Sequence, residues 1–133
     1  MSDLGFSQQN GSFCNLDYLI VNLGRNEATA MRLVGLFLEN YPVLSERLSL
    51  ALEAGDYAAL LDALHDIRSS CVLFSGYRCV NLVKSFEESI RDHMERTNSG
   101  DIRGDWKVIA ESLMACMHCM ASEMNLFVAA RQG

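Results

Sequence analysis

The sequence has a single proline in 133 residues, few runs of β-branched residues and no long apolar stretch, although half of it is hydrophobic. Each shortage excludes something. Sheets need frequent turn punctuation, so an all-α domain is the expected class. The longest unbroken apolar run, Leu33 to Leu38, falls far short of the roughly 20 residues a membrane helix requires, and no membrane span is expected. Basic residues are also scarce, 11 against 17 acidic ones for a net charge of −6, which argues against nucleic acid or an anionic membrane as partner. Proteins are the expected partners. The amino terminus lacks the basic-then-apolar layout of a secretory signal, which points to the cytoplasm. Five cysteines is an odd number, and they fall within apolar helical patterns. Reduced, buried thiols are therefore expected and not a disulfide framework.

What is present is helical periodicity. Residues 1–14, rich in Ser, Gln, Asn and Gly, show no period and read as a flexible lead-in to a single domain over 15–133. After Asn15, an N-cap candidate, Leu16, Leu19, Ile20 and Leu23 mark a short amphipathic helix. A long second helix follows Asn26 with Val34, Phe37, Tyr41, Leu44, Leu48 and Ala51 on its seam, ending at Gly55; Pro42 inside it should kink it without breaking it. Asp56 caps a third helix with the seam Leu60, Leu64, Ile67, Cys71 and Phe74, which stops near Ser75 and Gly76. A fourth has Cys79, Leu82, Phe86 and Ile90 running towards Met94. The stretch from Arg96 to Asp105 reads as the longest loop, with Asp105 capping a last helix whose stripe is Ile109, Leu113, Met117, Met120, Met124 and Phe127. The architecture predicted is an antiparallel four-helix bundle with a short additional N-terminal helix.

Successive residues of a helix turn by about 100°, which puts His65 roughly 140° from the centre of the third seam, on the solvent side. The strip around it is small or apolar where long charged residues are usual: Ala58, Leu61, Ser69, Val72 and Gly76, with Arg68 one turn on. Such a strip suits the close approach of another protein. An imidazole that accepts a phosphoryl group must be exposed and free at one ring nitrogen, and the product carries about two negative charges. Arg68 disfavours a second positive charge on the ring beforehand and can hydrogen-bond the phosphoryl oxygens afterwards. Ser69 is too small to block the approach and has a hydroxyl to donate.

The segment His65-Asp66-Ile67-Arg68-Ser69-Ser70, with the small pair Ser75-Gly76 beyond it, resembles the motif of the histidine-containing phosphotransfer (HPt) domain family. In that motif an active histidine precedes an aliphatic residue, Lys or Arg, and then small residues. The flanks Phe37 to Leu44, Ala51-Leu52 to Asp56, and Leu82 to Phe86-Glu87 are similar too, so the likeness extends over roughly residues 26–127. Three small positions depart from it: Ser69 and Ser75 stand where glycine is usual, and Gly76 where alanine is. Asp66 is the unexpected neighbour of the histidine, although its side chain points about 100° away.

The resemblance implies a phosphorelay intermediate in two-component signalling. His65 would be the nucleophile, taking a phosphoryl group from the aspartate of one response-regulator receiver domain and passing it to another, with a hybrid sensor kinase upstream. The Mg²⁺ and most of the transition-state machinery would belong to the receiver, making this chain a carrier and not an enzyme, with no cofactor and no metal of its own. A monomer is expected. The rival reading is a non-phosphorylated HPt-like helical adaptor that binds a receiver or kinase and blocks it. The starting methionine and lead-in favour a free-standing protein over a module of a hybrid kinase.

Other residues receive plainer readings. Cys116, His118 and Cys119 suggest a thiol-metal site, but on one helix His118 points nearly opposite to the cysteines, so at most two ligands converge. The methionines of the last helix have core spacing. His93 and His118 read as structural or solvated, and Glu87 and Glu88 as exposed helix charges.

Overall fold

The computed structural model describes residues 12–96 and 104–132. They form five helices and, among the described residues, no strand: α1 (Leu16–Asn22), α2 (Glu27–Ala54), α3 (Tyr57–Leu73), α4 (Tyr77–Arg96) and α5 (Gly104–Gln132).

Local chemistry sets the ends. The side chains of Asn15, Asn26 and Asp56 accept from the backbone N–H of Tyr18, Thr29 and Ala59, each satisfying a donor that the first turn leaves unpaired. Gly55 ends α2 at φ +66°, a left-handed conformation that costs glycine little. The helix continues through Pro42 unbroken. Pro42 is exposed, so its ring stands on the solvent side of α2 and the core seam is not interrupted.

The long helices close a ring, α2 packing on α3, α3 on α4, α4 on α5 and α5 back on α2, while α1 lies against α2. Short connections, Gly55-Asp56 and Phe74 to Gly76, make successive helices antiparallel. The core is formed by the expected seams: Val34, Leu48, Leu60, Leu64, Ile67, Phe86, Leu113, Met117, Met120 and Met124 are almost inaccessible. Each contributes about 1.5–3 kcal/mol relative to exposure.

Some expectations are corrected. On α4 the buried line passes through Val83, with Leu82 half-buried beside it and Met94 exposed. Asp105 stands in the first turn of α5 and does not precede it, since the helix has begun at Gly104. Trp106, absent from the expected stripe, is fully buried, donates to Ser89 Oγ at 3.0 Å and packs edge-on against Tyr57 and His93. Within the expected lead-in, residues 12–14 run along the bundle: Phe13 and Cys14 donate their N–H groups to the Glu123 carboxylate at 2.7 and 3.3 Å, and Asn15 N–H reaches Phe74 O at 2.9 Å. Residues 1–11 and the loop expected before α5, residues 97–103, lie outside the described residues.

Asp105 to Arg131 is long and apolar enough to cross a membrane by length and composition. Its apolar face is the one packed into the bundle, through Trp106, Ala110, Leu113, Met117, Met120 and Met124.

Candidate functional site

The middle of α3 presents His65 to solvent while Leu64 and Ile67, its neighbours in sequence, are buried. The seam that anchors the helix thus fixes the imidazole outward. Along the same face Ala58 and Ser69 are exposed, Val72 is half exposed, and Leu61 is half-buried against the core. A small, partly apolar surface therefore extends along the helix from His65 in both directions.

Gly76 does not belong to that surface. It is buried, and a Cβ there would meet Met120 Sδ at 2.7 Å and Cε at 2.8 Å. Its smallness serves the approach of α5 and not that of a partner. Its neighbour Ser75 is also buried, at φ +58°. The glycine usual at that place in the resembling motif has a physical reason here, because the turn into α4 needs a left-handed residue.

The charges around His65 are held from two sides. Asp66 points to α2, where Arg47 Nη1 donates to its Oδ2 at 2.8 Å, so its carboxylate is directed away from the imidazole's face. Arg68 points to α4, donating from Nη1 to Glu87 Oε1 at 3.0 Å. Glu87, expected as an exposed charge, is buried at 3 % exposure; Glu88 is exposed as expected. A carboxylate persists at such a site because a cation pairs with it. The guanidinium, held by one nitrogen, keeps N–H donors for an anion on the solvent side. Glu87 is the functional neighbour that sequence reasoning missed.

The other sequence candidates separate. His118 is exposed and its Nδ1 lies 3.2 Å from Tyr41 Oη, whereas Cys116 faces Cys79 on α4. Imidazole and thiol thus engage different helices. His93 is half-buried in the ring cluster around Trp106. Beside the His65 face, α2 and α3 border a groove of about 510 Å³ lined by Leu33, Leu36, Phe37, Ser70, Leu73 and Phe74 among others.

No family model and no curated protein matches the sequence. Among solved structures the chain is similar to the HPt domain of a sensor hybrid histidine kinase from Shewanella, with a TM-score of 0.70 over 89 % of this chain and 95 % of that one, at 14 % identity. The fold is that of an HPt domain: a helical bundle with the same overall arrangement.

Proposed function

We propose that the chain is a histidine phosphotransfer protein, a phosphoryl carrier between the receiver domains of a two-component pathway. The observation that carries this reading is the outward placement of His65 on the third helix of an HPt-like bundle, amid a small-residue surface, with Arg68 anchored beside it by Glu87.

In this mechanism a receiver docks over Ala58, Leu61 and Val72. The unprotonated ring nitrogen of His65 attacks the phosphorus of the aspartyl phosphate; the N–P bond forms as the P–O bond to aspartate breaks, and the carboxylate leaves. The free N–H groups of Arg68 and the hydroxyl of Ser69 donate to the phosphoryl oxygens. The second receiver reverses the step, its aspartate attacking phosphorus and His65 leaving. Mg²⁺ comes with the receiver. The partners are response-regulator receivers and a hybrid sensor kinase, the setting is the cytoplasm, and the chain acts as a monomer.

The test is incubation with phosphorylated receiver domains. Label should move to the chain, be lost in acid as phosphohistidine is, and be absent from His65→Gln with helix content unchanged. Acid-stable label, or label on His65→Gln, overturns the reading. Receiver binding without transfer identifies the blocking adaptor instead.

A further inference from the structure

Cys79 on α4 and Cys116 on α5 meet inside the bundle with their Sγ atoms 2.6 Å apart. Non-bonded heavy atoms rest about 3.5–4.0 Å apart, and a sulfur–sulfur bond is about 2.05 Å long. The pair therefore stands nearer to bonding distance than to packing distance. Both cysteines are free and buried, Met120 Sδ lies 3.5 Å from Cys79 Sγ, and Cys71 is a further hydrogen-bonding neighbour of Cys79. None of these sulfurs takes part in the His65 chemistry.

The thiols differ in access. Cys116, together with Cys119, lines an open groove of about 610 Å³ whose other walls include Phe13, Arg78, Leu82 and Ala115. Cys79 is completely inaccessible, behind Cys116. Of the two paired thiols, Cys116 is the one a small oxidant in the groove can reach, and the resulting sulfur electrophile is already in contact with Cys79. The hydrogen bond to Cys79, then burial, push the Cys116 thiol up. For Cys79 the hydrogen bond to Cys116 lowers the value, but the one to Cys71 and burial outweigh it and push that thiol up as well. The reduced pair is accordingly protonated at neutral pH, and its oxidation is slow compared with that of an ordinary exposed thiol.

We propose that Cys79 and Cys116 form a thiol-oxidation site, closed by a small hydroperoxide into an intramolecular disulfide that joins α4 to α5. The sulfur of Cys116 attacks a peroxide oxygen; the S–O bond forms, the O–O bond breaks, and the thiol proton leaves in water or the corresponding alcohol. The sulfur of Cys79 then attacks the sulfenic sulfur; the S–S bond forms, the S–O bond breaks, and hydroxide leaves as water with the proton of Cys79. Two electrons pass from the two thiols to the peroxide.

The experiment treats the full chain with hydrogen peroxide, unfolds it, alkylates free thiols and maps the peptides. The expected result is a mass loss of about 2 Da, alkylation at only Cys14, Cys71 and Cys119, a peptide linking Cys79 to Cys116, and full reversal by dithiothreitol. The Cys119→Ala variant should behave identically. Cys79→Ala should stop at sulfenic acid, with dimedone labelling Cys116. The proposal is overturned by recovery of Cys79 and Cys116 as alkylated thiols, by a bridge from either to Cys71 or Cys119, by a bridge between two chains, or by dimedone labelling of Cys119 in place of Cys116.

Discussion

Arg68 Nη1 donates to Glu87 Oε1 at 3.0 Å, and the two side chains differ sharply in exposure, 34 % against 4 %. The pair joins an outward turn of α3 to a carboxylate enclosed between helices. Arg68 therefore has a structural task besides any contact with a phosphoryl group: it pairs with a carboxylate that has almost no access to bulk water.

That inequality sets an order of costs. Arg68→Ala leaves a buried carboxylate alone and should cost about 2–3 kcal/mol, below the ~3–5 kcal/mol of a fully buried pair because the guanidinium is partly solvated. Glu87→Gln keeps an acceptor for a cation that can also reach water, and should cost about 1 kcal/mol. Urea unfolding of both variants measures the difference. Equal costs would show that the enclosed carboxylate is not the member that depends on the pair.

The turn between α3 and α4 yields two opposite effects at adjacent positions. Ser75→Gly removes the steric penalty of a left-handed residue and should raise stability by about 0.5–1 kcal/mol. Gly76→Ala drives a methyl into Met120, which is fully buried, and should lower stability by about 1–3 kcal/mol. In a Met120→Ala background the penalty at residue 76 should shrink, and a double-mutant cycle by thermal unfolding reads the coupling. Strict additivity would contradict the contact.

Cys14 gives a pH dependence. Burial, then the charge and hydrogen bond of Glu123, push its thiol from 9.0 up to about 12. The folded state holds this proton more tightly than the unfolded chain, so the stabilisation is fully present below pH 9.0 and is lost as pH rises through about 12. Cys79 and Cys116 shift in the same direction. Urea midpoints should therefore fall with pH above about 9, less steeply for Cys14→Ala than for the parent. Parallel profiles would remove Cys14 from the account.

The docking surface can be probed without touching the core. Val72 is half exposed, so Val72→Lys should change stability by no more than about 0.5 kcal/mol. With the lysine on the face that meets a receiver, transfer to His65 should slow by about tenfold, a difference of ~1.4 kcal/mol. Phosphotransfer rates beside melting curves separate the two. Unchanged transfer would move the receiver off this part of α3.

Much of this was legible because helix seams repeat at a fixed period. The ends at Asn15, Asn26, Gly55 and Asp56 and the outward face of His65 follow from side-chain chemistry within one or two turns. What escaped depends on a second helix. Glu87 looks like any surface glutamate until Arg68, nineteen residues earlier, is seen across the α3 and α4 interface. Gly76 falls in a stripe with exposed residues, but having no side chain it does not tell which way it faces; Met120 decides that from α5. Trp106 lies outside the simple α5 stripe and is buried by the rings of Tyr57, Phe86 and His93, contributed by two other helices.

The ring order of the bundle bears on how the molecule comes into being. Each helix from α2 to α4 packs on its immediate successor in the chain, and the return of α5 onto α2 is the main helix packing that joins distant segments. Low contact order of this kind belongs to chains that fold in microseconds to milliseconds. The α3 and α4 hairpin, linked by the tight turn at residues 74–76, brings Arg68 to Glu87 through a short loop and at small entropic cost. The surface around His65 can therefore assemble as a local event during folding, before the bundle has closed behind it.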